Sequence, residues 1–250
     1  MITVTIEDRI AFAHHVFISK PHRFIFFTIP KVACTDWIRL FVRLQGKKDW
    51  KSDPHFRAGK PLLSKLEGAA IETYLKDKNW TKAVFLRDPA ERLLSAYLDK
   101  VNKGTYVMKK ILKSELDSIP FREFVDFAID SNQDLRSRRG LHQRTDPHWK
   151  PQYLLSNLYK FMPCINYIGH FSNLYEDTKR LLQSVDLWEP YGSTGWGKDG
   201  KQALFFTNDA VNRTDAQQKM DIYYSEDLLM QVKKAYQQDY ELLAMAKASG

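Results

Sequence analysis

The sequence predicts an α/β chain built on a mostly parallel β-sheet, with residues 1–250 forming one continuous domain. Three observations carry that expectation. Two short, β-prone apolar runs, Arg23 to Thr28 (RFIFFT) and Lys82 to Leu86 (KAVFL), are each followed at once by a helical pattern, and strand, tight loop and helix in that order mark a parallel βα unit. There is no fixed-period repeat or low-complexity tract, and 11 glycines and 10 prolines leave no long flexible linker. With 44% hydrophobic and 27% charged residues in 250, the chain can bury most of its apolar surface around a core, and collagen-like, disulfide-scaffold and largely disordered classes are excluded.

The elements follow in order. Pro21 and Pro30 bound the first run, which reads as a buried strand, and a helix is predicted from Cys34 to Leu44. A second helix covers Leu66 to Leu75, and the KAVFL strand comes next. The helix after it, Ala90 to Val101, has a marked start: Asp88 as cap, Pro89 at the first helical position, and Glu91 three residues on to complete a capping box. Leu93, Leu94, Tyr97 and Val101 form its apolar face. Further helices are predicted at Phe121 to Ile129, Leu174 to Val185 and Ser225 to Ala248, the last capped by Ser225 with Glu226 and Asp227 in the first turn. Tyr167 to His170 reads as another strand, and the glycine-rich Tyr191 to Lys201 as a loop that a ligand would order.

Charge and cysteine content narrow the classes of function. The net charge is +8 and the pI near 9.3, so the molecule draws anions over long range. Nucleic acid, acidic glycan and phosphorylated cofactor all fit that sign. The positive charge is dispersed, with small concentrations at Arg136 to Arg144 and at Lys47, Lys48 and Lys51, which read as solvated faces before they read as a nucleic-acid stripe. The two cysteines, Cys34 and Cys164, are too far apart for a metal-ligand cluster and too few for a disulfide framework, so reduced thiols are expected. No apolar run approaches the roughly 20 residues of a bilayer span, and charges interrupt Met1 to Lys20, so a soluble, cytoplasmic protein is expected.

Two loops carry chemistry. Ile29-Pro30-Lys31-Val32-Ala33-Cys34-Thr35 joins the first strand to its helix. Its small residues let main-chain N–H groups approach a ligand, and a helix start favours phosphate or sulfate. Lys31 adds a point charge and Thr35 a hydroxyl donor, but the glycines and Lys-Ser/Thr pair of a nucleoside-triphosphate P-loop are missing. The second strand ends at Arg87, followed by Asp88 to Tyr97 (DPAERLLSAY). Arg87 offers a fork to a phosphate and Ser95 a hydroxyl, unless Arg87 simply pairs with an acidic neighbour and Ser95 packs.

Both segments resemble the carbohydrate sulfotransferases. Pro30 to Trp37 (PKVACTDW) is similar to the family's 5′-phosphosulfate loop and Val84 to Tyr97 (VFLRDPAERLLSAY) to its 3′-phosphate motif. His148-Trp149-Lys150-Pro151, Tyr167 to Phe171 and a C-terminal stretch through Tyr236 to Leu243 follow in family order, so the resemblance runs from about Pro30 to Leu243.

The resemblance implies a P-loop-like three-layer α/β fold, a central mostly parallel sheet flanked by helices. It implies an O-sulfotransferase that uses 3′-phosphoadenosine 5′-phosphosulfate (PAPS) and no metal, acting on the hydroxyl of a carbohydrate. Carried over by position, Lys31, Val32, Ala33, Cys34 and Thr35 hold the 5′-phosphosulfate, Arg87 and Ser95 hold the 3′-phosphate, and Arg213 adds a basic contact. Sulfuryl transfer is an in-line displacement, and Lys31 would meet the charge growing on the bridging oxygen. The acceptor hydroxyl needs a base, for which histidine suits neutral pH. His55, between the two motifs, is the first candidate and His148 the second. Asp36 departs from the family's usual Asn or Ser and must turn away from a bound anion. Lacking the anchor and disulfides of Golgi relatives, the chain is expected to be a cytosolic relative with a soluble acceptor, and the Arg136 to Arg144 loop hints that the acceptor is acidic. Trp37 and Trp149 are expected in the core. A basic nucleic-acid-binding module and a P-loop-like nucleotide kinase are the alternatives of other classes.

Overall fold

The computed structural model describes residues 2–55, 58–102, 119–133, 146–206 and 214–248. Arg213, the basic stretch Arg136 to Arg144 and the region Gly104 to Leu116 lie outside the described residues. In chain order the main elements are α1 (Ile6–Phe12), β1 (Val16–Ser19), β2 (Phe24–Phe27), α2 (Cys34–Leu44), α3 (Gly68–Lys76), β3 (Thr81–Leu86), α4 (Pro89–Ala96), α5 (Phe121–Gln133), β4 (Tyr167–His170), α6 (Leu174–Ser184), α7 (Glu226–Ala235) and α8 (Gln237–Ala248). They fall into two compact units, one formed by Met1–Leu86 with Leu154–Ala210, the other by Arg87–Tyr153 with Val211–Ser249.

The first unit holds the sheet, in the order β1-β2-β3-β4. β1 and β2 run antiparallel, whereas β2–β3 and β3–β4 run parallel, so the predicted mostly parallel α/β architecture holds. Every residue of β1 and β2 is buried, as expected of strands covered on both faces. Alternation along β2 divides the cover. Phe24 and Phe26 stack on Phe41 and Trp37 of α2, with ring centroids 5.2 and 4.1 Å apart, while Phe27 meets Phe12 of α1 edge-on at 5.9 Å. Helix, sheet and helix therefore form three layers. β1 and α1 come from a stretch in which only interrupted apolar runs were legible; α1 is set by a capping box between Thr5 and Asp8.

The second unit is helical. Leu93, Leu94 and Tyr97 pack with Phe121, Phe124 and Val125 of α5, with Trp149, and with Leu228, Val232 and Tyr236 of the C-terminal region. Two boundaries and one cap differ from expectation. The α4 helix ends at Ala96 and continues as a π turn, Tyr97–Val101. The single C-terminal helix is two, because Tyr236 leaves helical geometry (φ −105°, ψ 23°) between α7 and α8. Asp88 caps α4 by accepting from the Glu91 N–H at 3.0 Å, but the Glu91 carboxylate turns to Arg87 instead of closing the box.

Candidate functional site

β2 and β3 are parallel, so both end at one edge of the sheet, and the chain leaves β2 there. Thr28 anchors the exit: its N–H and hydroxyl both donate to the His15 carbonyl, at 2.7 and 2.9 Å. Ile29 and Val32 are buried, and the Val32 N–H donates back to the Ile29 carbonyl at 3.1 Å. Two residues here are left-handed without being glycine, Lys31 inside the turn (φ 68°) and Ala33 directly after it, at the cap of α2 (φ 54°). The Val32 N–H is therefore committed to the loop itself. The Ala33 carbonyl accepts from the N–H groups of Asp36 and Trp37 at 3.2 and 3.3 Å, and no side chain caps α2. The amides of Cys34 and Thr35 stand in the first turn, beyond the reach of any intrahelical carbonyl and at the positive end of the helix dipole.

The neighbouring side chains suit an anion. Asp36 turns away from the helix start and accepts from Arg39 at 2.9 Å. Burial pushes the Cys34 thiol up, against the pull of the Lys31 charge and main chain, so it stays neutral beside the loop. The Thr35 hydroxyl lies 3.0 Å from His55 Nε2. His55 is exposed but braced: its N–H donates to Asp53 Oδ1 at 2.9 Å and its carbonyl accepts from Lys60 Nζ at 2.8 Å. Two residues that the sequence offered separately are thus in hydrogen-bond contact at one helix start.

The second segment belongs to the helical unit. Arg87 is 6% exposed; its Nε donates to Glu91 Oε2 at 3.4 Å. Burial lowers the guanidinium to about 10, which leaves it charged at neutral pH, and the same burial raises Glu91 against the pull of Arg87. The Arg87 main chain is held by the side chain of Gln152, through N–H to Oε1 at 3.1 Å and Nε2 to carbonyl at 2.8 Å. Ser95 is buried, with its hydroxyl 3.0 Å from that of Thr214. His148 is bound by both its ring Nδ1 and its N–H to Asp146 Oδ1. Burial raises Asp146, but the His148 contacts outweigh it and hold that carboxylate below the usual range. Trp37 and Trp149 are fully buried, as expected, and Trp196 is buried too, 4.6 Å from Trp50. The Tyr191 to Lys201 loop is tied to α2: Arg43 donates to the carbonyls of Tyr191 and Thr194 at 2.7 and 2.8 Å.

Sequence reasoning missed Gln152, Thr214 and Asp239. None lies in a loop after a strand, and their partners are far away in sequence. Gln152 had the nearest signal, directly after His148-Trp149-Lys150-Pro151. Among the described residues, no helix is long and apolar enough to cross a membrane, and no group of three or more His, Cys, Asp or Glu is placed to hold a metal.

A sequence profile described as "Sulfotransferase family" matches residues 14–244. Carbohydrate sulfotransferase 11 of Mus musculus is 28% identical over 249 residues, covering 86% of this chain. Carbohydrate sulfotransferase 14 of Danio rerio and carbohydrate sulfotransferase 9 of Homo sapiens are each 28% identical over 68% of it. The chain spans 66%, 48% and 40% of the length of these three relatives. No solved structure matches the chain significantly.

Proposed function

The chain belongs to the sulfotransferase family, and we propose that it moves a sulfuryl group from PAPS to a hydroxyl of a carbohydrate. The observation that carries the reading is the start of α2. Uncapped first-turn amides, a lysine, a hydroxyl and a histidine 3.0 Å from that hydroxyl assemble there with the nearby carboxylate turned aside. Such a donor set fits a sulfated, phosphorylated ligand and no cation.

In this reading the Cys34 and Thr35 amides and the Thr35 hydroxyl hold the 5′-phosphosulfate, with Lys31 meeting the negative charge that grows on the bridging oxygen as the S–O bond breaks. Val32 and Ala33 shape the turn. Arg87 and Ser95 take the 3′-phosphate, joined by Arg213. His55 removes the acceptor proton as the hydroxyl attacks sulfur, and its contact with Thr35 keeps the base beside the reacting group. His148, fastened to Asp146, is the second candidate. PAPS supplies the activated sulfuryl group. The relatives' names support a carbohydrate acceptor, and the net charge of +8 favours an acidic one. Cys34 and Cys164 are both free thiols, which accords with a cytoplasmic setting.

Radiolabelled sulfate in PAPS, offered with a panel of neutral and acidic saccharides, tests the proposal: transfer to a saccharide hydroxyl is expected. Ligand-induced stabilisation separates the rival classes. Adenosine 3′,5′-bisphosphate at about 100 times its Kd should add roughly 2.7 kcal/mol without magnesium. Stabilisation by ATP with magnesium alone would make the chain a kinase; stabilisation by oligonucleotide alone, with a steep salt dependence, would make it a nucleic-acid-binding module.

A further inference from the structure

One buried chain of contacts in the helical unit ends on the main chain of Arg87. The Gln152 amide meets both the Arg87 N–H and the Arg87 carbonyl, as a peptide on a neighbouring strand would. Gln152 is fully buried, and its own backbone is held in turn: its N–H donates to Asp239 Oδ2 at 2.7 Å, and the next N–H, of Tyr153, donates to Asp239 Oδ1 at 2.9 Å. Asp239, in the first turn of α8, is also fully buried. Arg92 lies close enough to favour its charge and is itself tied to the carbonyls of Pro147 and Lys150, both at 2.8 Å.

Burying a carboxylate and a primary amide is costly even when both are hydrogen-bonded, and apolar side chains would fill the same space more cheaply. Here the two polar groups act in series, Asp239 on the Gln152 backbone and the Gln152 amide on the main chain of Arg87, the residue that carries the buried guanidinium. A guanidinium recognises phosphate through a planar fork, so errors of a fraction of an ångström in its root weaken the second of its two bonds.

We propose that Gln152 and Asp239 are positioning residues for 3′-phosphate recognition: Asp239 fixes the 152–153 backbone, and the Gln152 amide fixes Arg87. The inference rests on the reading of Arg87 as the 3′-phosphate contact.

The test is nucleotide discrimination by titration calorimetry, comparing adenosine 3′,5′-bisphosphate with AMP, which lacks the 3′-phosphate. Arg87→Ala, Gln152→Met, Gln152→Glu and Asp239→Asn are measured at a temperature where circular dichroism shows each one folded. Gln152→Met keeps length and removes both hydrogen bonds; Gln152→Glu keeps the acceptor and loses the donor. The expected result is a drop of about tenfold in the bisphosphate-to-AMP affinity ratio for Gln152→Met, with AMP affinity within about twofold of the parent. Gln152→Glu and Asp239→Asn should fall between. A ratio unchanged in folded Gln152 variants, when Arg87→Ala collapses it, overturns the positioning role alone. A ratio that Arg87→Ala leaves intact overturns the 3′-phosphate reading and this inference with it.

Discussion

The Thr35 hydroxyl and His55 Nε2 are 3.0 Å apart, at the start of the helix that follows the second strand. The loop bearing His55 is held to Lys60 and Asp53 by its own backbone, so the ring is presented at the helix start, although it is exposed. In the role proposed for it, His55 serves the chemical step and not nucleotide affinity. His55→Ala is expected to lower turnover by about 10²- to 10⁴-fold while the affinity for adenosine 3′,5′-bisphosphate stays near that of the parent. Steady-state kinetics beside calorimetry check this. Normal turnover in His55→Ala, with loss in His148→Ala, would transfer the role to His148.

Lys31 and Ala33 occupy left-handed backbone conformations without being glycine, and each L-residue held there costs about 1–2 kcal/mol. Ala33→Gly should therefore leave stability nearly unchanged, relief in the fold offsetting the freer unfolded chain. Ala33→Val puts a β-branched residue where it fits worst and should lose about 1–3 kcal/mol in urea denaturation, along with nucleotide affinity. Equal behaviour of the two variants would show that the turn does not depend on these dihedrals.

The local parts of this molecule were legible and the distant ones were not. Phe24–Phe27 within RFIFFT, and KAVFL, are buried on both faces and read as strands from their apolar content alone, and Asp88-Pro89 announces α4 through cap chemistry that acts over three residues. The break at Tyr236 escaped because helical periodicity continues on both sides of it, while the Tyr236 hydroxyl is fixed elsewhere, donating to the Trp149 carbonyl at 2.7 Å. Lys31, Thr35 and Arg87 could be singled out as candidates because motif order survives in the chain. The Gln152–Asp239 relay was not, since a carboxylate accepting two main-chain amides from another segment leaves no pattern in spacing or periodicity.

Gly169 in β4 lies opposite Phe85 of β3. A Cβ at this position would come within 2.4 Å of two Phe85 ring atoms, so the absent side chain is the space the ring occupies. Gly169→Ala should cost about 1–3 kcal/mol by overpacking. Combining it with Phe85→Leu should recover part of the loss, a non-additivity that a double-mutant cycle measures. Strict additivity would mean that the sheet shifts locally and the two positions are uncoupled.

Stability should depend on pH through the buried carboxyl of Asp239. Burial raises its carboxyl to about 6 from an ordinary 3.8, although the Gln152 and Tyr153 amides and the Arg92 charge oppose the shift. Tyr236 and Tyr240 also face it, and burial raises both phenols far above neutral pH, so Arg92 and Asp239 are the groups that carry charge there in the working range. A carboxyl raised in the folded state binds more protons folded than unfolded between about 4 and 6. Its contribution to stability is complete below the unfolded value and is lost as pH rises through the folded one, with a limiting slope of about 1.4 kcal/mol per pH unit. Asp146 acts in the opposite sense, since its lowered value contributes stability that disappears on acidification. Urea denaturation of the parent and of Asp239→Asn at intervals from pH 4 to 7.5 separates the two: the Asp146 contribution is common to both proteins and cancels in the difference. The difference curve should fall across pH 4–6 and flatten above about 6.5. A flat difference throughout would place the Asp239 carboxyl at its ordinary value, ionised and satisfied by the two amides and Arg92 without any net cost of burial.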